Sequence, residues 1–220
     1  MDPFTYNSKA YPASRCGQDD LRVQLALPLI GKAGRVLDVG CLDGTIAELL
    51  VKMGNTVSGI DASEPAVKRA MARGIDARLG NVEETFPFES NFFDAVFAGE
   101  IIEHVFDVDA MLKEIKRVLK PGGAFVVTTP NLAAFGRRLL LLAGGNPHIE
   151  ISFMGDAAGH IRYFIKHTLI ELLKTHGFTV DVFKSDVVNF NASGALNSTR
   201  LAHWFPTFGR SLIVRAFRQE

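Results

Sequence analysis

The 220-residue chain has little of several things that would mark a special class. Its two cysteines, Cys16 and Cys41, show no metal spacing and no disulfide framework. It has no surplus of either charge, 24 Lys and Arg standing against 24 Asp and Glu. Polyanion-binding domains usually carry a basic excess, so nucleic acid is not an expected partner. No apolar run approaches the length of a membrane span; the longest obvious one is 139–143. The opening Met1-Asp2-Pro3-Phe4 lacks the basic and apolar regions of a signal peptide, so a cytoplasmic location is the default expectation. What remains is 47% hydrophobic and 22% charged, the balance of an ordinary globular chain. Its length suits one domain spanning 1–220, with 1–30 as a loose arm leading into a helix.

From residue 34 onward strand and helix patterns alternate. The short apolar run 36–39 ends in a glycine turn and predicts a buried strand. Residues 45–52 have helical spacing, with Ile46, Leu49, Leu50 and Met53 on one face. Further strands are predicted at 56–60, 75–79, 93–98 and 124–129, and helices at 64–73 and 108–119. Ser63 is a good N-cap and Pro65 suits a first helical turn. Such alternation means parallel strands joined by crossover helices. The expected fold is α/β: a doubly wound, mostly parallel seven-stranded sheet with helices on both faces and an antiparallel C-terminal strand. The final strands, 178–183 and 211–217, are expected to form an antiparallel edge. The irregular stretches 130–163 and 184–210 are expected to cover the ligand cleft.

In a doubly wound sheet, ligands bind outside the carboxyl ends of the strands. The turn Asp38-Val39-Gly40-Cys41-Leu42-Asp43-Gly44 lies there. Gly40 permits a sharp bend. Gly44 lets the next helix start near the ligand, with its unpaired N–H groups exposed. Asp61 follows about twenty residues on, the spacing at which a carboxylate accepts from ribose hydroxyls. A dinucleotide site wants G-x-G-x-x-G, but Leu42 replaces the middle glycine and no third one follows. A carboxylate at Asp38 would repel pyrophosphate and favour an ammonium group.

These residues carry a family resemblance. V-L-D-V-G-C-L-D-G at 36–44 resembles motif I, h-h-D-h-G-x-G-x-G, of Rossmann-like S-adenosylmethionine-dependent methyltransferases. The likeness runs over roughly 35–183. It takes in G-I-D-A at 59–62, G-N-V-E-E at 80–84, F-D-A-V-F-A-G-E-I-I-E-H-V at 93–105 and L-K-P-G-G at 119–123. The resemblance implies S-adenosylmethionine as cofactor, with Asp38 near the methionine amine, Asp61 and Ala62 at the ribose, and Asn81 and Val82 at the adenine. Gly40, Cys41, Leu42, Gly44 and Glu100 complete the implied cofactor-binding set. Two positions depart from the family pattern: Asn81, where Asp is commoner, and Leu42, where glycine is usual.

Methyl transfer to a hydroxyl needs alignment and a base. His104, in the loop after the fourth strand, is the leading candidate; the alternative is that it packs the following segment. His160 is the second catalytic candidate. It stands in G-H-I-R-Y-F at 159–164, similar to a string of small-molecule methyltransferases, and Arg162 and Tyr163 there are candidate substrate-binding residues; the alternative is that His160 and Arg162 brace the lid by hydrogen bonds. Glu100, Glu103 and His104 form an E-x-x-E-H string like that of the ubiquinone-biosynthesis O-methyltransferases, but so short a cluster assigns no metal. The base-methylating string [DNS]-P-P-[FYW] is absent at 99–102. Tyr6 and Tyr11 on the arm either close over the cofactor or belong to a free loop. The Leu139–Leu142 run after Arg137-Arg138 reads first as a buried helix face, otherwise as a pocket wall or a membrane contact. The expected activity is therefore O-methylation of a small-molecule, sugar or lipid-linked acceptor. The rivals are a nicotinamide-dependent oxidoreductase and a cofactor-binding protein without chemistry.

Overall fold

The computed structural model of the chain describes residues 20–147, 159–191 and 195–220. The expectations for Tyr6, Tyr11, Cys16 and parts of the two covering stretches lie outside those residues.

Helix α1 (Leu21–Ile30) begins where the Asp20 side chain accepts from the Arg22 N–H at 2.9 Å. Then come β1 (Arg35–Val39), α2 (Thr45–Lys52), β2 (Thr56–Asp61), α3 (Glu64–Ala72), β3 (Asp76–Leu79) and β4 (Phe93–Gly99). Next are α4 (Val108–Val118), β5 (Leu119–Pro130), α5 (Phe135–Leu142), α6 (Lys166–Thr175) and β6 (Phe178–Lys184). A two-stranded ribbon of β7 (Val188–Asn189) and β8 (Asn197–Ser198), α7 (Thr199–Trp204), a 3₁₀ turn at Pro206–Phe208 and β9 (Ser211–Arg218) close the chain.

The sheet order is β3-β2-β1-β4-β5-β9-β6, with only β9 antiparallel to its neighbours. This is the expected doubly wound α/β sheet. The final pair forms the expected antiparallel edge, with β6 outermost and β9 slotted between β5 and β6. Its sequence gives the reason: Ser211-Leu212-Ile213-Val214 is continuously buried, as an internal strand requires, while β6 is mostly half-exposed, as an edge strand is.

Alternate residues of β1 face opposite layers. Leu37 and Val39 join one core with α4 and α6. Val36 joins the other with α1, α2 and α3. Ser63 caps α3 by position only; its side chain makes no cap bond, and its N–H is held by Asp61. The α5 expectation is overturned. The helix forms but buries no residue, and Leu142 is 85% exposed. Four consecutive leucines on a 100° spiral cannot share one stripe.

Candidate active site

The C-terminal ends of β1, β2 and β4 meet at the turn after β1. Gly40 has φ +74° and Gly44 φ +78°. A side chain at Gly40 would strike Ile101, whose Cδ1 would lie 2.4 Å from the added Cβ. Leu42 also takes the left-handed region, at φ +45°. A non-glycine residue is held there at a cost of roughly 1–2 kcal/mol. The holding bond is visible: the Leu42 N–H donates to Asp61 Oδ2 at 2.8 Å. The Gly40 and Cys41 N–H groups both donate to the Ile60 carbonyl. Cys41 is buried, its thiol lying against Gly59 and 4.0 Å from the Leu42 carbonyl oxygen. Asp43 accepts from the Thr45 N–H and hydroxyl, steadying the start of α2.

Asp38 is 2% exposed, and its Oδ2 is buried without a hydrogen-bond partner. Burial, with the nearby Asp61 carboxylate, pushes its carboxyl up to about 7. Burial also raises Asp61, against the opposing pull of the N–H groups of Ser63 and Leu42. Glu100 follows β4 at φ +53°, a second non-glycine residue in the left-handed region at this cleft. Its carboxylate meets Arg22 Nη1 at 2.5 Å and accepts from the Thr128 hydroxyl. Desolvation raises Glu100 and lifts Glu103 well above the ordinary carboxylate range, Glu100 adding repulsion to Glu103. Two carboxyl pairs thus stand at the ends of these strands, Asp38 with Asp61 and Glu100 with Glu103, and Arg22 pairs with Glu100.

Glu103 is 1% exposed. Its Oε2 accepts from the Thr129 hydroxyl at 2.9 Å, and its Oε1 has no hydrogen-bond partner. That oxygen lies 3.9 Å from His104 Nε2 and 4.0 Å from His160 Nε2. The two imidazole rings are 4.8 Å apart. His104 Nδ1 is 3.1 Å from the Gly159 carbonyl oxygen, which only accepts. Neutral His104 therefore carries its proton on Nδ1, leaving Nε2 as the basic nitrogen. One donor atom from each of Glu103, His104 and His160 lies within 4.8 Å of the others, close enough for a cation. Of the E-x-x-E-H string, Glu100 instead turns to Arg22.

Several of the other sequence candidates have local partners. Arg162 donates through Nε to the Val105 carbonyl at 3.0 Å and through Nη2 to that of Phe106, so its guanidinium braces the loop after β4. The Tyr163 hydroxyl donates to the His160 carbonyl at 3.3 Å. Asn81 spends its amide locally: Oδ1 accepts from the Glu83 N–H and Nδ2 donates to Glu84. Val82 is buried in the core, while Ala62 is half-exposed at the rim. Arg22 and the Thr128–Thr129 pair were not singled out. An arginine in a first helical turn carries no special signal, but two threonines ending a strand beside the cleft do. Arg137 was taken as one end of an apolar run; it is half-buried, donates to the Asn131 carbonyl at 2.7 Å and lies in the field of Glu100 and Tyr163.

Residues 37–127, which hold this turn, match the model of a methyltransferase domain. A Mycolicibacterium smegmatis protein, by name a probable S-adenosylmethionine-dependent methyltransferase, is 37% identical over 68% of this chain and 54% of its own. The human mitochondrial ubiquinone biosynthesis O-methyltransferase is 37% identical over 47% of this chain and 30% of its own. The chain thus spans about half or less of the length of these relatives. A Thermotoga maritima S-adenosylmethionine-dependent methyltransferase shares the fold, at a TM-score of 0.66 and 23% identity over 90% of this chain and 88% of that one. Family and fold imply S-adenosylmethionine as the cofactor. The residues present fit it: an orphaned buried carboxyl oxygen at Asp38, with the Asp61 carboxylate nearby, suits a ligand carrying an ammonium and a sulfonium.

Proposed function

We propose that this methyltransferase domain transfers the methyl group of S-adenosylmethionine to a hydroxyl on a small-molecule, sugar or lipid-linked acceptor. The observation that carries the reading is the buried Asp38 carboxyl, its Oδ2 without a hydrogen-bond partner, beside Asp61. Carboxyls so placed repel pyrophosphate and attract a cationic ligand. A dinucleotide would place two phosphates against them, which opposes the oxidoreductase reading. Asp38 would hold the cofactor's ammonium, Asp61 its ribose hydroxyls and Arg22 its carboxylate.

Once bound, the cofactor would supply a methyl carbon on cationic sulfur, with the neutral thioether as leaving group. The chain's own part is to place the acceptor and take its proton. His104 Nε2 is the base, accepting the hydroxyl proton as the acceptor oxygen bonds to carbon. The Gly159 carbonyl fixes the tautomer and the Glu103 carboxylate stabilises the imidazolium. Thr129 in turn orients Glu103. His160, equally close to Glu103, is the alternative base. The half-buried Arg137 and Tyr163 would line the acceptor side. The described residues of the two irregular stretches, 130–147, 159–163, 184–191 and 195–210, would cover it. The likeness to ubiquinone-biosynthesis enzymes supports oxygen as the accepting atom.

The test is transfer of labelled methyl from S-adenosylmethionine to a panel of phenols, sugars and prenylated hydroxy-aromatics. Label on hydroxyl acceptors, lost in a His104→Gln/His160→Gln variant, is expected. Label only on amines or carbon would overturn the oxygen assignment.

A further inference from the structure

A cavity of about 540 Å³ opens where α5, α6 and the Pro206–Phe208 turn meet. Small-molecule sites have volumes of roughly 300–1,000 Å³. Asp38, Asp61, Glu100, Glu103, His104 and His160 do not line it, so it is not the cleft. The backbone decides which side chains do. Segments 131–133 and 164–166 run side by side: Asn131 bridges Phe164 in parallel, and the Leu132 N–H donates to the Phe164 carbonyl at 2.9 Å. Ala133 therefore stands by Ile165 and Lys166, and all three line the cavity. Arg138 Nε donates to the Ala133 carbonyl at 2.6 Å, which brings its guanidinium to the same end. Along α6, Lys166, Ile170 and Lys174 follow at four-residue spacing and share one face. That face is about 12 Å long.

The lining is apolar in part, through Ala133, Ile165 and Ile170, and otherwise mostly cationic. Arg138, Lys166 and Lys174 stand against one carboxylate, Glu171, which itself faces His167 at 3.4 Å. Among the described residues no carboxylate pairs with Arg138, Lys166 or Lys174, whereas Arg117, Arg210 and Arg215 each meet one at 2.7 Å or less. Arg138 and Lys166 are positioned by rings instead. The Arg138 guanidinium lies 4.9 Å from the centre of the Phe208 ring, and Lys166 Nζ 4.7 Å from that of Phe183. A ring face holds a cation in place without neutralising it. The first turn of α6 adds no acidic residue. Cations so gathered repel one another until an anion joins them. The planar fork of an arginine takes two oxygens of one group, and a lysine beside it takes a third, which matches a phosphate better than a carboxylate.

We propose that this cavity is a second ligand site, for a soluble phosphorylated small molecule. The phosphate sits between Arg138 and Lys166, and an apolar or aromatic body lies along Ile165 and Ile170 toward Lys174. The site does not rest on the methyl-transfer reading.

The probe is phenyl phosphate, titrated into the full chain by calorimetry, with inorganic phosphate and benzyl alcohol as its two halves. Saturable binding is expected, about tenfold or more tighter than that of either half, because only the whole molecule meets both the cations and the apolar wall. Arg138→Gln/Lys166→Gln should weaken it about tenfold or more. Circular dichroism of this variant should match the parent, since both side chains are exposed. Amide-shift mapping on the parent chain locates the site without any variant: the shifts should centre on 165–174 and not on 38–44 or 100–104. Three results would overturn the proposal: no saturable binding of phenyl phosphate, shifts centred on the cleft, or undiminished affinity in the folded double variant.

Discussion

The backbone N–H of Leu42 and the Oδ2 of Asp61, 2.8 Å apart, tie the turn after β1 to the end of β2. This bond accounts for a leucine where the family pattern has glycine. Asp61 holds Leu42 in the left-handed region, and Leu42 in turn helps fix the carboxylate that would meet the ribose.

Because the leucine backbone is strained, Leu42→Gly should keep the fold and cofactor affinity, with stability changed by less than about 1 kcal/mol. Relief of strain is offset by the entropy that glycine loses. Leu42→Val, β-branched and worse suited to positive φ, should lose about 1–2 kcal/mol. Thermal melts of the two variants test the contrast. Equal stability would remove the role given to the Asp61 bond.

Asp61→Ala leaves the N–H groups of Leu42 and Ser63 without their acceptor. Stability should fall by about 1–3 kcal/mol, and S-adenosylhomocysteine binding should be lost. Calorimetry at a temperature well below the variant's melting point separates the two effects.

Asp38 gives a pH dependence whose sign follows from its raised pKa. The folded protein holds this proton up to about 7, whereas the unfolded chain releases it at the ordinary value of 3.8. Stability from this group therefore falls as pH rises from about 4 to 7 and is level above. Asp38→Asn should melt higher than the parent at pH 8, by at most about 4 kcal/mol, while losing the cofactor. In the parent protein, affinity for a ligand ammonium should be constant above pH 7 and weaken about tenfold per unit below it. Calorimetry in two buffers of different ionisation enthalpy should show proton release near pH 6. A flat affinity from pH 5 to 8 would separate Asp38 from the ligand amine.

His104→Gln should lower turnover by about 10²–10⁴ while leaving S-adenosylhomocysteine affinity within twofold. His160→Gln should cost less if His104 is the base, and the order reverses if His160 is. Equal, small losses would assign both rings to packing around Glu103.

Much of the sheet was legible because its strands are short apolar runs punctuated by Gly40, Gly54, Gly74 and Gly177. The place of β9 was not, since a strand's neighbours depend on which edge accepts it. The helical spacing of Arg137–Leu142 was readable, but its exposure was not. Four leucines in a row leave the direction of a helix face undecided. That Asp38 lies on β1, that Gly40 and Gly44 flank the turn after it and that His104 lies in the loop after β4 could be read from the order of elements. Arg22, the Glu103 partnership with His160 and the bracing role of Arg162 join residues 56 to 78 positions apart, contacts that only the folded chain brings together.

The central claim, a site built for a cationic methyl donor rather than a dinucleotide, meets its most direct test in paired calorimetric titrations of the full chain at pH 8. The account predicts saturable one-to-one binding of S-adenosylhomocysteine and no heat from NAD. Saturable NAD binding with no response to S-adenosylhomocysteine would contradict it.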